Sequence, residues 1–144
     1  MTKVFLDSDV ILDFLLGREP FALPAGVIFA HAEGGKLGLC TSTVSFLNVH
    51  YIATNQTNRG EAAKLIRQLR TLVSLLPVTA ETVDVALGQE SPDLEDKVQF
   101  ICAQENQVDF LVTRNIKHYP KGELPVMLPD VFLETVPKLL PGND

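Results

Sequence analysis

Short apolar runs alternate along the chain with longer segments in which apolar residues recur at helical spacing. Short runs of this kind, bounded by polar or turn residues, are typical of buried strands. They predict strands at residues 4–6, 37–40, 74–78 and 110–112, and a weaker pattern predicts a fifth strand at residues 126–128.

Helical periodicity marks seven further segments, at residues 10–16, 24–33, 44–54, 59–72, 81–87, 94–105 and 131–140. In the fourth of these, five apolar residues share one helical face: Ala62, Leu65, Ile66, Leu69 and Leu72. Four prolines are interpreted as turns and helix stops: Pro125, Pro129, Pro137 and Pro141. Strands that alternate with helices indicate a parallel sheet covered on both faces. The expected fold class is therefore α/β, a three-layer α/β/α sandwich around a central parallel sheet of four to five strands.

Length and composition indicate a globular domain. The chain has 144 residues, of which 46% are apolar and 21% are charged, and this length suits one domain that spans residues 1–144. The sequence contains no run of about 18 apolar residues and no secretory signal, so we expect no membrane association. Cys40 and Cys102 lie far apart in apolar contexts, which favours buried free thiols and a cytoplasmic protein.

The charge distribution narrows the function classes. A formal net charge of −6 argues against a protein that coats nucleic acid non-specifically, although local basic patches around an acidic centre remain compatible with it. One predicted helix, at residues 59–72, carries Arg59, Lys64, Arg67 and Arg70. A solvated helix face explains these residues better than a guide for backbone phosphates.

Acidic side chains mark two junctions between predicted elements. Asp7 ends the first strand in the segment FLDSDV, and Asp9 follows two residues later. Two carboxylates so close repel each other unless a cation or a local hydrogen-bond network offsets the repulsion. Asp93 and Asp96 open the helix at residues 94–105; because they are three residues apart, they face one side of its first turn, and Glu95 is expected to point away.

The fourth strand ends on Thr113, Arg114 and Asn115. Because the carboxyl ends of parallel strands meet at one edge of a sheet, the three junctions can converge there. An oxygen-rich pocket at this edge suits Mg²⁺ or Mn²⁺. Each acid alone is explained equally well or better as a helix cap, and Arg114 and Lys117 alone as a solvated edge. The coincidence of three junctions favours a functional site.

Four segments resemble the PIN domain family, a metal-dependent ribonuclease fold that includes the toxins of many bacterial toxin–antitoxin pairs. FLDSDVILDFL is similar to the family's opening, a strand that ends in Asp and continues through Ser or Thr and Asn or Asp. DLEDKVQFICAQENQVDFLVTRNIKHY is similar to its most specific segment, in which Asp-x-x-Asp opens a helix and a later strand ends in Thr-Arg-Asp/Asn. TSTVSFLNVHYIA falls where the family has a helix that carries an acid, and VMLPDVFLE is similar to its usual ending. The resemblance covers essentially the whole chain.

The resemblance assigns roles residue by residue. It aligns Asp7 with the first metal-binding acid, Asp96 with the third, and Asp93 with an additional acid of some subfamilies. Ser8 and Asp9 match positions that orient the first acid or contact the metal through water.

Two positions depart from the family pattern. Asn48 stands where most members have Glu, and Asn115 stands where many have Asp. An amide oxygen still binds a cation but brings no charge, so weak cation binding and weak activity are expected.

The implied function is a divalent-metal-dependent ribonuclease that hydrolyses RNA phosphodiester bonds with Mg²⁺ or Mn²⁺ as cofactor. The implied catalytic residues are Asp7, Asp93, Asp96 and Asn115, of which the three acids bind the metal, supported by Ser8, Asp9, Asn48 and Thr113. Arg114 and Lys117 would contact RNA phosphates. The expected partners are the RNA substrate, a cognate antitoxin and a second copy of the chain in a homodimer.

Two alternatives remain open at this point. A PIN-like fold that lacks two acids can serve as an RNA- or protein-binding module without cleavage. Haloacid-dehalogenase-like phosphatases also begin with an apolar strand and Asp-x-Asp, in which Asp7 would be the nucleophile and Asp9 the general acid. The phosphatase is disfavoured because the expected Gly after the second Asp is absent, the chain is short, and helical sequence leaves no room for a flap.

Overall fold

A single parallel sheet forms the centre of the computed structural model, which describes residues 1–139. Its strands lie in the order β3-β2-β1-β4-β5 and are β1 (Thr2–Leu6), β2 (Leu37–Ser42), β3 (Ser74–Leu76), β4 (Phe110–Val112) and β5 (Val126–Met127). The described residues also contain seven α-helices. These are α1 (Ser8–Leu15), α2 (Ala22–Glu33), α3 (Thr43–Gln56), α4 (Arg59–Leu72), α5 (Ala80–Leu87), α6 (Leu94–Glu105) and α7 (Pro129–Leu139). A short 3-10 helix, Ile116–His118, follows β4.

Side chains that alternate along each strand cover both faces of the sheet. In β1, Val4 and Leu6 pack on the side of α1, α2 and α7, whereas Phe5 packs with Phe100 of α6 on the opposite side. All of these side chains are at most 4% exposed, and full burial of such a side chain contributes roughly 1.5–3 kcal/mol. This two-sided burial produces the three-layer α/β/α architecture.

The predicted fold class is confirmed, with five strands that all pair in parallel. The bounds predicted for β4, α4 and α6 agree with the structure. The interpretation of Pro137 as a helix stop is wrong, because α7 continues to Leu139; the fixed φ of proline is compatible with a helix, although the residue cannot donate a main-chain hydrogen bond. Residue 140, the predicted end of that helix, and Pro141 lie outside the described residues. Cys40 and Cys102 are buried free thiols, as predicted.

The central position of β1 determines where a site can form. Phe5 pairs with Cys40 of β2 on one side, and Leu6 pairs with Val112 of β4 on the other. The chain thus leaves β1 toward β2 and later returns to the opposite flank, which is the topological switch point at which α/β sheets place ligands. Asp7 lies directly at this point. Within the described part of the chain, no helix is long and apolar enough to cross a membrane.

Candidate active site

An acidic pocket of about 380 Å³ opens at the carboxyl edge of the sheet. Five carboxylates line it: Asp7, Asp9, Asp93, Glu95 and Asp96. The remaining polar lining residues are Ser8, Arg18, Asn48, Arg114, Asn115 and His118. The convergence of three strand-to-helix junctions, expected from the order of elements, therefore produces one pocket.

Asp7 is held in a single orientation by three hydrogen bonds. One carboxylate oxygen, Oδ1, accepts from the main-chain N–H of Ser8 at 2.7 Å, as the N-terminal cap of α1. The other, Oδ2, accepts from the hydroxyls of Thr113 and Tyr119, both at 2.8 Å. Burial and the charge of Asp7 raise the pKa of Tyr119 far above its usual range, so this hydroxyl remains a donor. Asp7 is only 6% exposed and reaches the pocket pre-oriented.

Asp9 is the second carboxylate of the first junction, and main-chain donors hold it. Its Oδ1 accepts from the N–H of Val10 at 2.7 Å, and its Oδ2 accepts from the N–H of Arg114 at 2.9 Å. Burial, and then the charge of Asp7, raise the pKa of Asp9 from 3.8 to about 6, although the two N–H groups oppose this shift. Local hydrogen bonds thus offset part of the repulsion between the two acids.

The start of α6 supplies a cluster of possible metal ligands. Asp93 caps α6 by accepting from the N–H of Asp96 at 3.0 Å. The Oδ2 of Asp96 lies 2.8 Å from Nδ1 of His118. One ligand atom from each of these three residues lies within 4.8 Å of the others. Carboxylate oxygens and imidazole nitrogens are ligands of divalent cations, so these three residues could hold one here.

Glu95 corrects one expectation from the sequence. It was expected to point away from the pocket, but it lines the pocket, because α6 begins beside α3 and Glu95 reaches toward that helix. The side-chain amide of Asn48 donates to Glu95 through a long contact of 3.4 Å. Burial and the neighbouring acids raise the pKa of Glu95, and burial is also the main cause of the raised pKa of Asp96.

The other residues predicted for the site differ in whether they are buried, line the pocket or lie outside it. Ser8 is buried, and its hydroxyl donates to Ser45 at 3.3 Å. Thr113 is fully buried behind Asp7, so it positions the acid rather than forming part of the rim. Asn115 lines the pocket, whereas Lys117 is exposed on the 3-10 helix and does not line it. The roles assigned to these residues remain predictions.

Sequence reasoning missed three residues at the site, Arg18, His118 and Tyr119. His118 and Tyr119 follow the end of β4 by a few residues, so their nearness to a predicted junction was an available signal. Arg18 follows α1 after Gly17, whose φ of 62° marks a tight helix ending. That turn returns the chain toward the pocket, which apolar periodicity does not reveal.

Comparison with known proteins agrees with this fold. The sequence pattern of the PIN domain matches residues 3–117. No curated protein matches the sequence. Among solved structures, VapC20 from Mycobacterium tuberculosis, a Sarcin-Ricin loop cleaving toxin, has a TM-score of 0.66 at 12% identity. The match covers 84% of this chain and 98% of the VapC20 chain. A toxin–antitoxin complex from Klebsiella pneumoniae has a TM-score of 0.64 at 21% identity over 88% of this chain and 97% of the matched chain. DNA-bound VapBC from Salmonella typhimurium has a TM-score of 0.64 at 13% identity, over 88% of this chain and 97% of the matched chain.

These likenesses show the fold, and the match over residues 3–117 shows the family. The chain, with its buried acid at the switch point of a five-stranded parallel sheet, belongs to the PIN domain family.

Proposed function

We propose that the protein is a divalent-metal-dependent ribonuclease that hydrolyses RNA phosphodiester bonds. One observation carries the proposal. Five carboxylates line one pocket at the switch point of the sheet, and Asp93, Asp96 and His118 place ligand atoms within 4.8 Å of one another. So dense a group of acids is electrostatically unfavourable unless a cation compensates it. Membership of the PIN domain family supports the same conclusion.

Asp93 and Asp96 would hold the cation, with Asp7 facing the same pocket. When bound, Mg²⁺ or Mn²⁺ activates water and stabilises the negative charge that develops on the phosphate. Three donors fix the direction of Asp7, so this acid needs little reorganisation when the cation arrives. Arg114 also lines the pocket, where a guanidinium suits a phosphate oxygen.

We also propose that the protein acts as the toxin of a toxin–antitoxin pair. The similar structures include VapBC complexes and a toxin–antitoxin complex, which supports an antitoxin as partner. A homodimer, a cytoplasmic location and a single domain over residues 1–144 remain predictions.

The second candidate is a binding module without cleavage. Asn48 and Asn115 line the pocket as amides, and they remove two charges that most or many family members have. Such a protein would bind RNA and leave it intact. The phosphatase alternative is not favoured, because the chain belongs to the PIN domain family.

Cleavage of single-stranded RNA in Mn²⁺ separates these possibilities. Asp7→Asn and Asp96→Asn should each lower the rate by about 100-fold or more, since even residues behind a metal ligand cost about 10–100-fold. Asp84→Asn, a matched change at an exposed position on α5, should leave the rate unchanged. Intact RNA after incubation with the parent protein would favour the binding module, and equal rates in all variants would assign the cleavage to a contaminant.

A further inference from the structure

A buried carboxylate outside the acidic pocket holds two arginines. Asp13 of α1 is fully buried, with 1% of its side chain exposed. Its Oδ1 accepts from Nε of Arg18 at 2.9 Å and from Nη2 of Arg114 at 3.1 Å, and its Oδ2 accepts from Nε of Arg114 at 2.7 Å. One buried charge therefore orders two long side chains from separate segments of the chain.

The ending of α1 directs Arg18 to this carboxylate. Gly17 adopts a φ of 62°, a left-handed conformation that glycine tolerates without strain. The N–H of Arg18 donates to the carbonyl of Asp13 at 3.0 Å, and the N–H of Gly17 donates to that of Phe14 at 3.4 Å. This pair of bonds is a Schellman motif, and it brings Arg18 back beside Asp13.

Both guanidiniums are also fixed from a second side. Nη2 of Arg18 donates to the carbonyl of Asp9 at 3.2 Å. The guanidinium carbon of Arg114 lies 3.9 Å from the centre of the Phe21 ring, a cation–π contact. The hydrogen bond to Asp13 raises the pKa of Arg114 further above its usual range, so Arg114 stays charged.

The arrangement leaves an excess positive charge beside an acidic pocket. Two guanidiniums share one carboxylate, and both arginines line the pocket, with 36% of the Arg18 side chain and 28% of the Arg114 side chain exposed. Within residues 1–139, Nη1 of each arginine has no hydrogen-bond partner. A structural ion pair needs only one arginine, whereas two oriented guanidiniums, each with Nη1 still available as a donor, suit an anionic oxygen group.

We propose that Arg18 and Arg114 form a phosphate-binding subsite at the edge of the acidic pocket, with Asp13 as the positioning residue. The ligand is a backbone phosphate of single-stranded RNA next to the phosphate that the acidic pocket receives. Identification of the ligand as RNA rests on the proposed function. Arg18 and Asp13 add to the contact already predicted for Arg114, and the subsite explains how an acidic pocket retains a polyanion.

Binding of a fluorescently labelled single-stranded RNA oligonucleotide to the full chain tests the subsite. Fluorescence anisotropy is measured with Ca²⁺ in place of Mg²⁺, because this larger cation also binds carboxylates but is a weaker Lewis acid and activates water less. Salt concentrations span about 50–200 mM, and a gel confirms that the RNA stays intact. Arg18→Gln should raise the dissociation constant about three- to tenfold. It should also reduce the slope of log affinity against log salt by about 0.7, the value for one lost phosphate contact on a single strand.

Matched variants keep the result interpretable. Arg67→Gln removes an exposed arginine of α4 that does not line the pocket, and it should leave affinity and slope unchanged. Arg18→Lys keeps the positive charge but loses the planar guanidinium. Compared with Arg18→Gln, it should therefore recover more of the salt slope than of the affinity. Arg18→Gln leaves Asp13 paired with Arg114, and its melting temperature should stay near that of the parent. Asp13→Asn should weaken RNA binding as Arg18→Gln does, if it folds.

Three results would overturn the subsite. These are an unchanged affinity and slope in Arg18→Gln, an equal loss in Arg67→Gln, or a parent protein that does not bind the RNA. If the parent binds RNA without cleaving it and Arg18→Gln shows the expected loss, the ribonuclease proposal fails while the subsite stands. If the parent cleaves RNA and Arg18→Gln changes neither binding nor KM, the subsite fails alone.

Discussion

Asp7 shows how a buried carboxylate is kept ready at the sheet edge. Its three donors come from α1, from the end of β4 and from the residue that follows the 3-10 helix. Each bond to a charged group contributes about 1.5–3 kcal/mol, which offsets the cost of taking this carboxylate out of water. The acid is therefore fixed before any ligand binds.

At the scale of single residues, the loss of family acids is partly balanced. Asn48 donates to Glu95, so α6 places a carboxylate beside the α3 position at which the family resemblance leads one to expect an acid. His118 adds an imidazole next to Asp96. The pocket thus keeps five carboxylates, although two positions that are usually acidic are amides.

The imidazole of His118 predicts that the pocket prefers Mn²⁺ to Mg²⁺. Mn²⁺ accepts a nitrogen ligand readily, whereas Mg²⁺ strongly prefers oxygen. His118→Ala should lower the affinity for Mn²⁺ by about tenfold and change that for Mg²⁺ little, as measured by calorimetric titration. His50→Ala, which removes an exposed histidine of α3 outside the pocket, is the control. An equal loss for both metals, or no loss for either, would show that His118 is only an ion-pair partner of Asp96.

At the scale of elements, the starts of α1 and α6 bring like charges together. Asp9, Glu95 and Asp96 all have a raised pKa, first because of burial and further because neighbouring carboxylates repel. In the absence of metal, the folded state therefore binds protons more tightly than the unfolded state. Stability should fall as pH rises from the unfolded pKa of Asp9, 3.8, to its folded value of about 6.

Because these pKa values are raised, the metal-free protein should be more stable under mildly acidic conditions than at neutral pH. In chelator, the free energy of unfolding should be about 1 kcal/mol higher near pH 5.5 than near pH 7.5. Denaturant unfolding at both values is the measurement, and Asp9→Asn should reduce the difference. A parent protein that is less stable at the lower pH would refute this electrostatic account.

Element order was predictable from the sequence, and so was the edge at which Asp7, Asp93 and Asp96 meet. Apolar runs and helical periods define strands and helices, and the rule for parallel sheets then places their carboxyl ends together. Glu95 was misjudged because helical spacing gives a direction relative to its own helix, whereas the pocket also extends toward α3. Arg18 and His118 lie in turns, whose paths follow from local backbone geometry rather than periodicity.

At the scale of the whole molecule, the chain brings groups of opposite charge to one switch point. Asp93, Asp96 and His118 form a cluster of possible metal ligands, and the two arginines held by Asp13 line the same pocket. This arrangement suits a ligand that carries a cation and phosphates together. The central prediction is that the cluster of Asp93, Asp96 and His118 binds a divalent cation.

Thermal melting of chelator-treated protein during a Mn²⁺ titration tests that prediction most directly. At about 100 times the dissociation constant, binding to the folded state should add about 2.7 kcal/mol, which is a rise of roughly 5–10 °C for a chain of this size. Asp96→Asn should lose most of this rise, and Asp84→Asn should retain it. A parent protein whose melting temperature does not respond to Mn²⁺, or an Asp96→Asn variant that responds as fully as the parent, would contradict the account.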